Sequence, residues 1–135
     1  MTEPLGQRIF EAAIDSYEDI ILARQKVGEI AAGMGFSLLN QTRIVTAVSE
    51  LARNIVVHAR SGRMIVVKAV GRTGITIRFE DEGPGIADIG RALEAGYSTA
   101  NSLGLGLQGA KRLTDKMEIA SSPGKGTTVV VTKWL

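Results

Sequence analysis

The chain has 135 residues, 44% of them hydrophobic, so it is read as one compact domain, 1–135, with enough apolar material for a core. A formal charge of +2 with acids and bases interspersed, and only 4% aromatic residues, argue against nucleic acid as a partner. The absence of Cys rules out disulfides and thiolate metal sites, while no apolar run approaches the ~18 residues of a membrane span and no signal-peptide pattern opens the chain, which gives the expectation of a cytoplasmic protein.

Leu5 to Ala13 reads as a short opening strand. Ser16 then offers an N-cap with Asp19 three residues on, and Ile20, Val27, Ile30, Ala31 and Met34 mark one face of a helix. Gly33 and Gly35 stop it. A second helix is predicted from about Leu39 to Ala59, with Ile44, Val48, Leu51, Ala52 and Ile55 as its buried stripe. Glu50 and Asn54 lie roughly 40° apart on that helix and off the stripe. Such a pair is common on solvated helix faces, but it also sets a base and an amide metal ligand side by side.

Met64 to Val70 reads as a strand, Gly71 to Gly74 as a turn, and Ile75 to Glu80 as the hairpin partner. The parity of that partner is informative. Ile75, Ile77 and Phe79 point inward, so a strand continued to position 81 points Asp81 inward as well. A carboxylate aimed at the apolar side is costly unless something binds it. The competing reading places Asp81 in the Gly83-Pro84-Gly85 turn, where Asp is common.

Ile86 to Ser102 is rich in Gly, Ala and Ser, with little apolar periodicity, and reads as a mobile lid with at most a short helix around Asp88 to Glu94. A third helix is predicted from Gly104 to Met117, with Leu107, Ala110, Leu113 and Met117 facing in. Met117 to Ser121 and Thr127 to Trp134 are strands joined by Ser122-Pro123-Gly124-Lys125-Gly126. The alternation suits a layered sheet with helices on one face.

Three glycine boxes follow the Glu50/Asn54 pair: Asp81 to Gly85, Leu103 to Leu107, and Gly124 to Thr127. No G-x-x-x-x-G-K-[ST] is present, which excludes a P-loop, and no strand directly precedes Gly104, which excludes a dinucleotide fingerprint. A glycine pair opening a helix still offers free amides and the helix dipole to an anion. His58 is the only histidine, so a zinc site is not available to it. It reads as an ordinary helix-end residue or, less simply, as a phosphate contact. The order of the four pieces points to a nucleotide site.

Ser49-Glu50-Leu51-Ala52-Arg53-Asn54 resembles the N box of the GHKL superfamily of gyrase, chaperone, histidine-kinase and mismatch-repair ATPases. Asp81 to Gly85, Gly104 with Gly106, and Gly124 to Thr127 resemble its three glycine boxes, and the likeness runs from about Val27 to Leu135. It implies the Bergerat fold, an α/β two-layer sandwich whose mixed, mostly antiparallel sheet has its helices on one face. Gly96-Tyr97-Ser98-Thr99, Lys111-Arg112-Leu113 and Lys133-Trp134-Leu135 resemble the serine/threonine switch kinases of the bacterial stressosome. Asn101-Ser102 departs from that pattern, which has glycines before the second box.

The resemblance implies a protein-serine/threonine kinase using ATP and Mg²⁺. Asp81 would accept from the adenine amino group, and Thr127 would hold a water against the base. Gly83 and Gly85 would leave room for the base, and the amides of Gly104, Leu105, Gly106 and Leu107 would hold the phosphates. Asn54 would ligate Mg²⁺, and Glu50 would be the catalytic group that orients or deprotonates the acceptor hydroxyl. Implied partners are STAS-domain proteins as substrates and a PP2C-type phosphatase activated in a sigma-factor pathway. The alternative is an anti-sigma factor kinase that sequesters a sigma subunit. A free-standing ATPase or histidine-kinase fragment fits less well, since the chain has no dimerisation hairpin bearing an acceptor His.

Overall fold

In a computed structural model, which describes residues 7–85 and 103–135, five strands and three α-helices form two layers. The strands are β1 (Arg8–Ile14), β2 (Gly62–Lys68), β3 (Gly74–Asp81), β4 (Lys116–Ser121) and β5 (Thr127–Trp134). The helices are α1 (Tyr17–Gly33), α2 (Leu38–Asn54) and α3 (Leu103–Leu113), and a π-helical turn, Ile55–Ala59, extends α2.

Local chemistry sets the boundaries. Ser16 caps α1 by accepting from the Asp19 amide at 3.3 Å, and the Asp19 carboxylate accepts from the Asp15 amide at 2.9 Å. The Ser16 cap is the one the sequence suggested, and Asp19 reaches back to the amide before it rather than to that of Ser16 itself. At the other end Gly35 takes φ +95°, and the Phe36 amide reaches back to the Ala31 carbonyl at 3.1 Å. Phe36 is thereby turned into the core, and Ser37 caps α2 by accepting from the Asn40 amide.

The sheet order is β1-β2-β3-β5-β4, and all four pairings are antiparallel where a mixed sheet was expected. Neighbours consecutive in the chain, β1 with β2, β2 with β3 and β4 with β5, are joined by connections that return it in the opposite direction, and β5 pairs antiparallel with β3 across the middle of the sheet. Register then stacks the inward residues in rows across the strands. Val66, Ile77, Val131 and Met117 form one row; Met64, Phe79, Val129 and Ile119 form the next. Both rows pack beneath α2 with Ile44, Val48, Leu51 and Ile55. The row after those is Gly62, Asp81, Thr127 and Ser121, so the apolar floor turns polar at one end of the sheet.

Two helix ends differ from expectation. The third helix stops at Leu113 rather than Met117, because Asp115 is drawn toward β5, where its carboxylate accepts from the Trp134 amide at 2.7 Å and from Lys133. Met117 therefore belongs to β4. The second helix keeps α geometry only to Asn54; beyond it the Arg60 amide bonds the Ile55 carbonyl at 2.7 Å, five residues back. Of the expected opening strand, Arg8 to Ala13 lie in β1, which continues to Ile14, while Leu5 and the predicted lid, 86–102, lie outside the described residues.

Arg60, which ends the π turn, has φ +74° and is the one described non-glycine residue with positive φ. A Cβ in this region is strained. Arg60→Gly is expected to stabilise the chain by about 1 kcal/mol, and a thermal melt reads it as a rise of a few degrees.

Candidate functional site

The polar row opens into a recess between the sheet end and the helix layer. Its walls are apolar: Leu51, Ile55 and Ala59 from α2 and its π turn, Phe79 and Val129 from the sheet, and Leu107 from α3. Four polar side chains converge on it, namely Asp81, Thr127, Asn54 and His58, and Pro84 and Gly85 form part of the rim. A concave apolar slot with a few directed polar groups is the form of a small-ligand site.

Asp81 closes β3 and lies half-buried in the row, as its parity required. Its Oδ1 accepts from the Gly83 amide at 2.9 Å. Burial pushes its pKa up, while the amides of Gly83 and Thr127 and the nearby His58 pull it down, and the net direction is upward. The charge is thus held at a cost that the two amides only partly offset.

Glycines make this packing possible at two places. Gly126, at φ +80°, passes so close to β3 that a Cβ there would stand 2.1 Å from the Asp81 carbonyl oxygen. Gly106 lies against Asn54, and a Cβ on it would approach the Asn54 Oδ1 to 2.9 Å. Gly83 packs against Ala59, and Gly85 passes under the Ser122 carbonyl. Gly104 and Leu105 fall in the first turn of α3. Leu107 is almost fully buried and meets the recess through its side chain.

Asn54 is the last residue of α2, and its Nδ2 is buried without a hydrogen-bond partner among the described residues. A buried amide left without a partner is costly, and a bound group would relieve it. Glu50 stands one turn earlier on the same helix, outside the residues that line the recess and opposite Gly109 of α3. No cluster of three or more His, Cys, Asp or Glu side chains suited to a metal occurs among the described residues. The unpartnered Nδ2 is a donor suited to an anion, while the Oδ1 of the same amide is an oxygen of the hard kind that Mg²⁺ accepts beside water and phosphate.

Two residues take places that sequence spacing alone does not assign them. Periodicity leaves His58 a helix-end residue or a phosphate contact, and the structure brings it into the recess near Asp81. Its spacing from Asn54 repeats that of Asn54 from Glu50, which was the available signal. Ser121 sits at the end of the polar row beside Thr127. Only strand register brings it there.

Residues 39–135 match the family described as histidine kinase-, DNA gyrase B- and HSP90-like ATPases. The chain is 44% identical over 119 residues to serine/threonine-protein kinase RsbT of Bacillus subtilis (strain 168), covering 87% of this chain and 90% of that one. It is 34% identical over 119 residues to an anti-sigma F factor of Thermoanaerobacter sp. (strain X514), covering 84% and 83%. Among solved structures, one of the RsbU and RsbW domains of a Mycobacterium tuberculosis protein superposes with a TM-score of 0.65 at 20% identity. That match covers 94% of this chain and spans 33% of the other, and it speaks for the fold. Among the described residues no helix is long and apolar enough to cross a membrane.

Because the Asp81 pKa is raised in the folded chain, the protonated acid is the better tolerated form there. Its contribution to stability is present below the carboxylate's ordinary range and is lost as pH rises through the folded value. Asp81→Asn is therefore expected to melt at or above wild type at pH 7 without ligand, with the difference fading in acid. Thermal denaturation across that range checks the sign.

Proposed function

The chain belongs to the family of histidine kinase-, DNA gyrase B- and HSP90-like ATPases, and on that footing we propose that its recess is the site where this protein-serine/threonine kinase takes ATP with Mg²⁺ and phosphorylates a STAS-domain protein. The observation that carries the reading is the pair of acceptors, Asp81 and Thr127, on the floor of an apolar slot whose wall holds the unpartnered Asn54 amide. A purine fills a slot with walls such as Phe79 and Leu107, and its exocyclic amino group supplies the donors those acceptors lack.

The roles proposed are those that the family resemblance implies for these residues. Asp81 accepts from the adenine amino group, and Thr127 holds a water at the base edge. Gly83 and Gly85 keep side chains out of the base's path. The phosphates lie toward the start of α3, where the amides of Gly104, Leu105, Gly106 and Leu107 and the helix dipole favour negative charge. Asn54 ligates Mg²⁺, which when bound neutralises phosphate charge. Glu50 sits one turn from Asn54 and outside the base slot, where it orients the acceptor hydroxyl and takes its proton as the oxygen bonds to the γ-phosphorus and ADP leaves.

The domain spends most of its inner surface on the nucleotide, so we place substrate choice in the docking of a folded partner. STAS-domain proteins are the proposed substrates. Once released from the stressosome in the cytoplasm, the kinase is proposed to bind and activate a PP2C-type phosphatase, which competes with the STAS-domain protein for an overlapping surface. Labelled ATP, Mg²⁺ and a STAS-domain protein, followed by mapping of the modified serine or threonine, test the reading. Alignment of anti-sigma F factors over most of the chain favours one second reading, sequestration of a sigma subunit. Tight ATP-dependent capture of a sigma factor would put that reading first.

Asp81→Asn is expected to lower ATP affinity by tenfold or more, since a lost charge-assisted hydrogen bond is worth roughly 1.5–3 kcal/mol. Calorimetry on the folded variant reads the loss directly, and unchanged affinity would remove the base from this end of the recess.

Glu50→Gln is expected to retain Mg-ATP binding while phosphotransfer falls by about 10² or more. A transfer rate near wild type would return Glu50 to the status of a solvated helix residue.

A further inference from the structure

Each strand of the sheet contributes a cation to an ion pair with a carboxylate: Arg8, Arg63, Arg78, Lys116 and Lys133. The helices α2 and α3 break this balance. Between them they carry Arg43, Arg53, Lys111 and Arg112 against one acid, Glu50. Arg43, Arg53 and Arg112 are exposed, and none of the three is ion-paired with a described residue. Arg43 donates one hydrogen bond to the uncharged Asn40 side chain at 3.1 Å and keeps its charge.

Helix geometry gathers these three arginines around Glu50. Arg43 lies two turns before Glu50 and about 20° around the axis from it, and Arg53 lies one turn after and about 60° around. Across the groove Gly109 of α3 faces Glu50, since a Cβ there would stand 3.9 Å from the Glu50 Cγ. Arg112 follows Gly109 by three residues, on the same side of α3, whereas Lys111 is turned about 160° away. The nucleotide does not account for this placement. Arg112 is about 12 Å along α3 from Gly104, and Arg43 about 16 Å along α2 from Asn54. On the other flank of α2, where Gly28 packs against Val45, helix α1 mixes Glu18, Asp19 and Glu29 with Arg24 and Lys26.

We infer that the groove between α2 and α3 is the docking surface for an acidic patch on the protein substrate. Arg43, Arg53 and Arg112 bind carboxylates that flank the accepting serine or threonine and so bring its hydroxyl to Glu50. The inference rests on the kinase reading of the recess and names the chemistry of the partner that this reading requires. Arginine suits the task, because its planar fork pairs a carboxylate through two parallel N–H bonds and stays charged. The excess of cations also has a local reason. An acidic surface brought to Glu50 and the phosphates is repelled unless positive charge outweighs them, and three arginines around one glutamate shift that balance. With 4% aromatic residues in the chain, the groove is not built to stack nucleic-acid bases.

The test is steady-state phosphorylation of a STAS-domain protein by Mg-ATP at several salt concentrations. For wild type the KM for the protein is expected to rise with salt, because exposed charges are screened. Arg43→Glu combined with Arg112→Glu should raise that KM by about tenfold and flatten its salt dependence, with kcat and Mg-ATP affinity held within about twofold. Arg43→Lys combined with Arg112→Lys should recover most of the loss. Lysines in place of the substrate carboxylates nearest the modified hydroxyl should impair transfer by wild type and restore it with the charge-reversed kinase, a rescue that a structural role for the arginines does not give. A KM unmoved by charge reversal, or a fall in kcat in its place, overturns the inference. So does salt-dependent binding of a single-stranded oligonucleotide that charge reversal abolishes, which makes the groove a nucleic-acid contact. If the charge-reversed chain does not fold, Arg43→Gln with Arg112→Gln carries the same comparison. A wild-type chain that binds no Mg-ATP, or binds it and transfers nothing to the STAS-domain protein, defeats the kinase reading and this inference with it, and that arm is read first.

Discussion

A carboxylate on the same strand face as Ile75, Ile77 and Phe79 cannot lie there without help, and the architecture of one end of the molecule answers to that demand. The Gly83 and Thr127 amides point at Asp81, His58 stands near it, and glycines at 83 and 126 let neighbouring segments close around it. The help is incomplete, since burial still raises its pKa. A core residue would be optimised for the ligand-free state. Asp81 is instead left only partly compensated, and in the proposed reading a donor from the ligand completes its hydrogen bonding.

The same logic runs along α2. Its apolar stripe holds the sheet and α1 together, and its last turn carries the amide of Asn54 into the recess without a hydrogen bond from a described residue. The switch to π geometry after Asn54 changes which way the following side chains project. His58 then lines the recess, and Ala59 meets Gly83 just beyond the end of β3. A strained backbone at Arg60 ends the turn and leads into β2. Backbone strain at Arg60 and an Asn54 amide with no partner among the described residues are both costs to the ligand-free fold, and the proposed nucleotide site supplies a reason for them.

The two faces of the sheet are used differently. The inner face carries the core and the polar row. On the outer face Arg63 pairs with Glu11 at 2.9 Å and with Glu80 at 2.8 Å, and Arg78 pairs with Glu80. Part-exposed pairs of this kind add little to stability. Thr76 and Thr132 share a hydrogen bond of 3.0 Å across β3 and β5 on that face.

Much of this was legible in the sequence, because periodicity and turn chemistry are local. The buried stripe of α2, the Ser16 cap, the limits of β5 and the inward parity of Asp81 all follow from spacing alone, since side-chain direction repeats every 3.6 residues in a helix and every 2 in a strand. The glycine boxes showed where the backbone would need room, and their resemblance to a known family supplied the roles that spacing could not. What tertiary structure decided was non-local. Asp115 ended α3 early because β5 offered it an amide and an ammonium. His58 entered the recess because α2 finished in a π turn, which no local propensity announces. Ser121 joined Thr127 and Asp81 because strands separated in sequence came into register, and a hydrogen bond between strands depends on that register and not on the identity of either residue's neighbours in the chain.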